Sequence, residues 1–203
     1  MKTLIVSRTK MSGSGRCIGG IAQDGTSLRL LNPNGQNWDT SAPFQIGDIW
    51  DLNYTAMTGL TPPHVEDVVC ASGTKAASAS DVRDTILELA PAWTGGISQL
   101  FDGVLGFTAK GNGFVSHSRG VPSQSTGFWI SDKELRLRAD AKHYDYPQGF
   151  LSQAKGMSYV GESDAIQTIP SGTLIRVSLA RWWKPDDVDG LEERCYLQLS
   201  GWY

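Results

Sequence analysis

The sequence predicts a mainly β protein made of two β units joined by one short helix. Three observations predict it. Short strand-like runs separated by Gly, Pro, Asn and Asp fill both ends of the chain. A single amphipathic stretch lies near the middle, and 203 residues suffice for one large domain or two small ones, each with a real core.

The elements follow in order. "TLIVSRT", "RCIGGIA" and "TSLRLLN" open the chain, and Asp24-Gly25 divides the last two. That dipeptide between alternating runs signals a hairpin over residues 16–32, because a type I′ turn takes positive φ at both central positions. After the loop "NPNGQNWDTSAP" come "IGDIWDLNYTAM" and "HVEDVVCAS", which brings the count before residue 72 to about five strands, the number used by an OB-type barrel. Next, Ser80 or Asp81 caps a helix whose apolar stripe is Val82, Ile86, Leu87 and Leu89, ended by Pro91. Strands resume at "GVLGFTA", "GFWISD", "ELRLRADA" and "MSYVGE" and finish with two long ones, "TLIRVSLARWW" and "EERCYLQLSGWY". The expected architecture is β-rich with one or two short helices. A first OB-like unit spans 1–72, a helical linker 73–102 and a second OB-like unit 103–203, the two barrels packing together in what can be one compact domain.

Composition narrows the function. The formal net charge of -3 argues against a polyelectrolyte surface over the whole molecule, so any nucleic-acid site is local. Lys2, Arg8, Lys10 and Arg16 all precede the first acidic residue, Asp24, which makes the N-terminal segment basic. Cys17, Cys70 and Cys195 are odd in number and widely spaced, which speaks against a disulfide framework or zinc site and for a reduced cytoplasm. The opening apolar run is too short for a signal peptide, and no stretch approaches the roughly 20 apolar residues that span a bilayer. A cytoplasmic protein with no membrane partner is expected.

The segment "RVSLARWWKP" raises the question of which tryptophan faces outward. Side chains alternate along a strand, so Ile175, Val177, Leu179, Arg181 and Trp183 share one face and Leu174, Arg176, Ser178, Ala180 and Trp182 the other. In the last strand Cys195, Leu197, Leu199 and Gly201 oppose Arg194, Tyr196, Gln198, Ser200 and Trp202. If the two strands pair across "KPDDVDGLE", their polar faces gather Arg176, Ser178, Trp182, Arg194, Gln198 and Trp202, with Trp183 inside and Trp182 outside unless a bulge shifts the parity. Arginine neutralises phosphate, aromatic rings stack bases and amides read base edges, so such a face suits single-stranded nucleic acid. The competing reading has the neighbouring unit covering the tryptophans, and the arginines paired with Asp186, Asp187, Glu192 or Glu193.

Other constellations are weaker. "TKMSGSGRCIGG" could cradle a phosphate on backbone amides, yet it lacks a GK[ST] ending and precedes a strand. "PDDVDGLEE" fails as a calcium loop, since the positions that should hold the first and last ligands are Pro185 and Tyr196. His64, His117 and His143 are scattered. His117 or His143 could pair with Asp145 as acid and base, but no nucleophile signature supports catalysis, and no cofactor or metal is expected.

The opening "LIVSRTKMSGSGRCIGGI", the strand "SLRLLN" and the ending "LIRVSLARWW" with "ERCYLQLSGWY" resemble the bacterial dual OB-containing domain family. The resemblance implies two OB-like barrels and a role in nucleic-acid recognition, in bacterial defence or mobile-element contexts. It does not reach the middle of the chain, roughly residues 72–130. The expected function is non-catalytic binding of single-stranded or structured DNA or RNA. Arg8, Lys10, Arg16, Arg29, Arg176, Arg181 and Arg194 would supply charge, and Trp182 and Trp202 would stack. A protein-interaction or sensor module using the same Trp/Arg face is the alternative, and a small-molecule enzyme using the His117 and His143 loops is a third reading.

Overall fold

The computed structural model describes residues 1–11, 13–149, 152–186 and 190–203. Ser12 of the Gly/Ser stretch, residues 150–151, and Asp187, Val188 and Asp189 of the acidic turn lie outside these described residues.

The first unit is a closed five-stranded barrel. Strands β1 (Lys2–Lys10), β2 (Arg16–Ala22), β3 (Ser27–Leu31), β4 (Asp48–Ala56) and β5 (Asp67–Ser78) close in the order β1-β2-β3-β5-β4, with β3 and β5 parallel. The 16–32 hairpin is present, but its turn differs from the expected type I′. Gly25 alone is left-handed, at φ 86°, while the Gly25 amide bonds to the Ala22 carbonyl and the Ala22 amide to Thr26. This is a three-residue loop closed by a glycine, and the Asp24 carboxylate caps the Thr26 amide at 3.0 Å.

Helix α1 (Val82–Leu89) follows, and the Asp81 side chain accepts the Asp84 amide as its N-cap. Ile86 is fully buried, with Val82 and Leu89 packed beside it, at the spacing of one helical face. Leu87 falls off that face and is exposed, so the expected four-residue stripe has three members.

The second unit is a ten-stranded sheet. Its strands are β6 (Ala92–Gly95), β7 (Gly106–Phe107), β8 (Gly113–Ser116), β9 (Thr126–Ser131), β10 (Leu135–Leu137), β11 (His143–Tyr146), β12 (Lys155–Tyr159), β13 (Thr168–Ile169), β14 (Leu174–Leu179) and β15 (Arg194–Trp202). The main path runs β13-β10-β11-β12-β15-β14-β9-β6, with β8 joining β15 and β7 joining β8. Strands β8 and β11 occupy stretches that read as loops, because four residues are too few to show alternation. Strand β5 continues to Ser78, beyond residue 72, and β6, inside the stretch read as a linker, pairs with β9.

Strand parity explains how the units share the chain. In β1, Ile5 points into the barrel core, whereas Leu4 and Val6 point into a separate cluster with Ile21, Ile86, Phe128 and Leu174. That cluster draws on both units and the helix, so it is the apolar seam between them. In β14, Ile175, Val177 and Leu179 fill the second core as expected, but the opposite face meets the first unit. Leu174 enters the seam, and Arg176 and Ser178 are buried.

Two parity expectations fail for local reasons. Strand β14 ends at Leu179, so counting on to the tryptophans loses its basis; Trp183 is 55% exposed and Trp182 is partly buried, the reverse of the expectation. In β15, Val177 pairs with Leu199 but Arg176 pairs with Gly201, leaving Ser200 as an extra residue. This bulge turns Trp202 back to the face of Leu197 and Leu199, where it packs against Tyr144 and Tyr159.

The seam yields the first prediction. Ile86→Ala should lower the unfolding free energy by about 2–5 kcal/mol, measured by urea denaturation with tryptophan fluorescence, and both units should still unfold in one transition.

Candidate ligand site between the units

A cavity of about 270 Å³ lies between the barrel and the large sheet. From the first unit its walls come from β2 (Cys17 and Gly19), β3 (Arg29), the segment after β1 (Met11) and the β4–β5 connection (His64 and Glu66). Arg176 and Ser178 of β14 and Gln198 of β15 close it from the second unit. A wider hollow of about 630 Å³, bordered by Lys142, Tyr159 and Asp164, shares Lys10 and Val160 with it.

The rim is held by polar bonds that cross between the units. Glu162 receives Arg8 Nε through Oε2 at 2.5 Å and Arg16 Nε through Oε1 at 2.6 Å. Nearby, the Lys10 amide donates to the Val160 carbonyl and the Glu162 amide to the Arg8 carbonyl, both at 3.0 Å. On the far side, Arg181 Nη2 reaches Asp67 at 2.7 Å and His64 Nε2 lies 3.1 Å from the Leu179 carbonyl oxygen. The Ser125 amide and hydroxyl both donate to Glu66. The Tyr203 hydroxyl donates to the Val6 carbonyl, and burial pushes its pKa up.

Charge follows this geometry. The Arg8 guanidinium holds the Glu162 carboxyl below its ordinary 4.5 against the effect of burial, with help from Arg16. Burial pushes the Asp67 carboxyl up, although Arg29 pulls it down. Burial also raises Cys70 to about 11 and Cys195 to about 12, which leaves both as thiols at neutral pH.

Most of the sequence-predicted cations are part of this framework. Arg8 is buried and also donates to the Ala42 and Phe44 carbonyls. Arg16 sits on Glu162, while Arg29 bonds Asp67 at 3.2 Å and Asn37 at 2.7 Å. Arg181 shares Asp67, and the Arg194 guanidinium lies 4.1 Å above the Phe114 ring. Trp182 spans the units: it stacks on His117 at 4.1 Å, nearly parallel, and its indole N–H donates to the Pro62 carbonyl. Trp202 is partly buried against the second core. The predicted face is therefore divided. Arg176, Ser178 and Gln198 come together in the cavity with Lys10, Arg29 and Arg181; Arg8, Arg16, Arg194, Trp182 and Trp202 stand outside its walls.

Two wall residues differ from the rest. Arg176 is 7% exposed and bonds Ser200 Oγ at 2.9 Å, and no carboxylate among the described residues pairs with it. Lys10 is exposed at the junction of the two hollows, and no described carboxylate pairs with it either. Gly19 makes room for Arg176, because a Cβ there would lie 2.7 Å from Nη2 and 2.4 Å from Ser7 Oγ.

In the sequence, Glu66 and Asp67 read only as the start of a strand, and His64 only as one of three scattered histidines. The signal was there in "HVEDVV", where charged residues lead directly into an apolar run. Glu162 carried no such mark. His117 and His143 do not line the cavity: His117 is on Trp182, His143 is 2.7 Å from Asp140, and Asp145 pairs with Arg138 at 2.6 Å. No described helix is long and apolar enough to cross a membrane.

The family model for the Dual OB-containing domain matches residues 1–202. No curated protein and no solved structure matches the chain.

The Glu162 clamp sets a pH dependence. Its folded pKa is depressed, so its contribution to stability is present above about pH 4.5 and is lost as the pH falls through the lower folded value. Glu162→Gln should cost roughly 1–3 kcal/mol at neutral pH by leaving Arg8 without its carboxylate. Denaturation midpoints of the two proteins should converge in strong acid.

Proposed function

Because the chain belongs to the Dual OB-containing domain family, we propose that it is a non-catalytic module that binds single-stranded nucleic acid by taking one unpaired nucleotide into the cavity between its units. The observation that carries this reading is where the cavity lies. OB barrels meet oligonucleotides on the face of strands 2 and 3 and through the loops joining strands 1–2 and 4–5. The cavity is lined by β2, β3, the segment after β1 and the β4–β5 connection.

The size and chemistry agree. About 270 Å³ is just below the range of drug-sized pockets, which suits one nucleotide unit rather than a folded ligand. Arg176 supplies a buried cation, Ser178 and Gln198 supply a hydroxyl and an amide, and Lys10 stands where the backbone would leave for the wider hollow. Arg8, Arg16, Arg29 and Arg181 act in this reading by holding the walls, and Arg194 takes no part. Of the described lysines and arginines that line the cavity, Arg29 and Arg181 share Asp67 and only Lys10 and Arg176 have no carboxylate, so phosphate neutralisation there is confined to one or two contacts.

A second reading has one observation in its favour. Trp183 is largely exposed outside the cavity with its ring 6.0 Å from Tyr196, and tryptophan is enriched among the residues that dominate protein interfaces. Copurification of a defined protein lost in Trp183→Ala, with no nucleic acid present, would favour a partner protein there.

Fluorescence anisotropy with labelled single-stranded DNA and RNA tests the main reading. Binding should weaken with salt, and Lys10→Ala should lower the slope of log K against log salt by about 0.7, the value of one phosphate contact on a single strand. Arg176→Gln, once its thermal melt shows that it folds, should weaken binding about tenfold or more. Wild type that binds neither polymer at low salt would end the proposal.

A further inference from the structure

Resting on the nucleotide reading above, we infer that the base taken into the cavity is guanine. The cavity holds a mismatch of charge. Arg176 and Glu66 are 7% and 8% exposed, and both line the same cavity, yet they are not paired with each other. Among the described residues Arg176 has no carboxylate partner. Glu66 has no cation; its oxygens receive only the Ser125 amide at 2.6 Å and the Ser125 hydroxyl at 2.9 and 3.0 Å. Buried charges are normally paired, since the cost of desolvating each is otherwise uncompensated.

His64 adds a third open position. It is 5% exposed and lines the cavity; Nε2 contacts the Leu179 carbonyl oxygen, and Nδ1 is buried without a partner. With Nε2 donating to that carbonyl, neutral His64 offers Nδ1 as an acceptor.

A simple anion would satisfy Arg176 and repel Glu66, and a simple cation would do the reverse. A neutral ring with acceptors on one edge and donors on another satisfies both. Guanine presents two adjacent acceptors, O6 and N7, to a guanidinium fork, the commonest specific arginine contact with a base. Its N1–H and N2 amino group are adjacent donors that match a carboxylate. Adenine places a donor beside N7, and cytosine has one amino group and no second ring donor next to it, so neither fills both edges in this way. O6 and N7 thereby fall to Arg176, N1–H and one amino hydrogen to Glu66, and His64 Nδ1 serves as an additional acceptor for the remaining amino hydrogen.

The test uses labelled thymidine oligonucleotides, as DNA and as the uridine equivalents in RNA, with one central base varied in anisotropy titrations of the wild-type full chain. A single guanine should bind at least about fivefold tighter than adenine, cytosine or the all-thymine strand, and hypoxanthine, which lacks the amino group, and 7-deazaguanine, which lacks N7, should each lose about that factor. Glu66→Gln should abolish the preference for guanine over hypoxanthine while keeping that over 7-deazaguanine; Arg176→Gln should do the converse. Because the base series needs only the wild type, an unstable variant leaves the test intact. Binding that is indifferent to the central base, or that favours adenine or cytosine, overturns the guanine assignment and leaves the nucleic-acid reading standing. Binding to no strand removes both.

Discussion

Two arginines from the barrel end on one carboxylate from the large sheet, and the placement of the units depends on that junction. Arg8 and Arg16 lie on neighbouring strands, and Glu162 follows β12, so a single side chain fixes the edge of one unit against two strands of the other. The backbone bonds from Lys10 to Val160 and from Glu162 to Arg8 then continue across the boundary as an extension of pairing. The cavity exists because this edge and the Asp67–Arg181 edge hold the walls apart while the apolar seam behind them closes.

The division of labour across the seam has an energetic logic. Leu4, Val6, Ile21, Ile86, Phe128 and Leu174 supply non-directional burial, which favours contact without specifying one alignment. Ion pairs with buried members gain little net free energy because both charges must be desolvated, but removing one partner is costly. Misalignment is therefore penalised where the charges sit, and attraction comes from the apolar patch. Arg176 stands apart from this scheme, because its closest polar partner is a serine and its space is secured by a glycine on the opposite unit.

Much of the fold was legible in the residues. Turn chemistry marked the strands of the barrel, the pair Ser80 and Asp81 marked the helix start, of which Asp81 is the cap, and alternation correctly turned Ile175, Val177 and Leu179 inward. What could not be read was set by contacts distant in sequence. The even face of β14 is polar enough to suggest solvent, yet it meets the other unit, where Gly19 leaves the space that the buried Arg176 fills. The Ser200 bulge inverted Trp202, and the end of β14 at Leu179 undid the count that separated Trp182 from Trp183. Of the candidate site, arginine and hydroxyl positions on β14 were found by parity, whereas His64, Glu66 and Glu162 were not. Their significance lies in which residues they face across the boundary.

A cavity whose walls come from two units has a consequence for how occupancy is felt by the molecule. Anything lodged there touches both halves, so its binding free energy opposes their separation as well as its own escape. The occupant would act as a removable crosslink: local opening of the seam would slow when it is present, even at amides far from the cavity. A signal of occupancy could then reach the surface without any change in average shape, carried by the reduced amplitude of breathing between the barrel and the sheet.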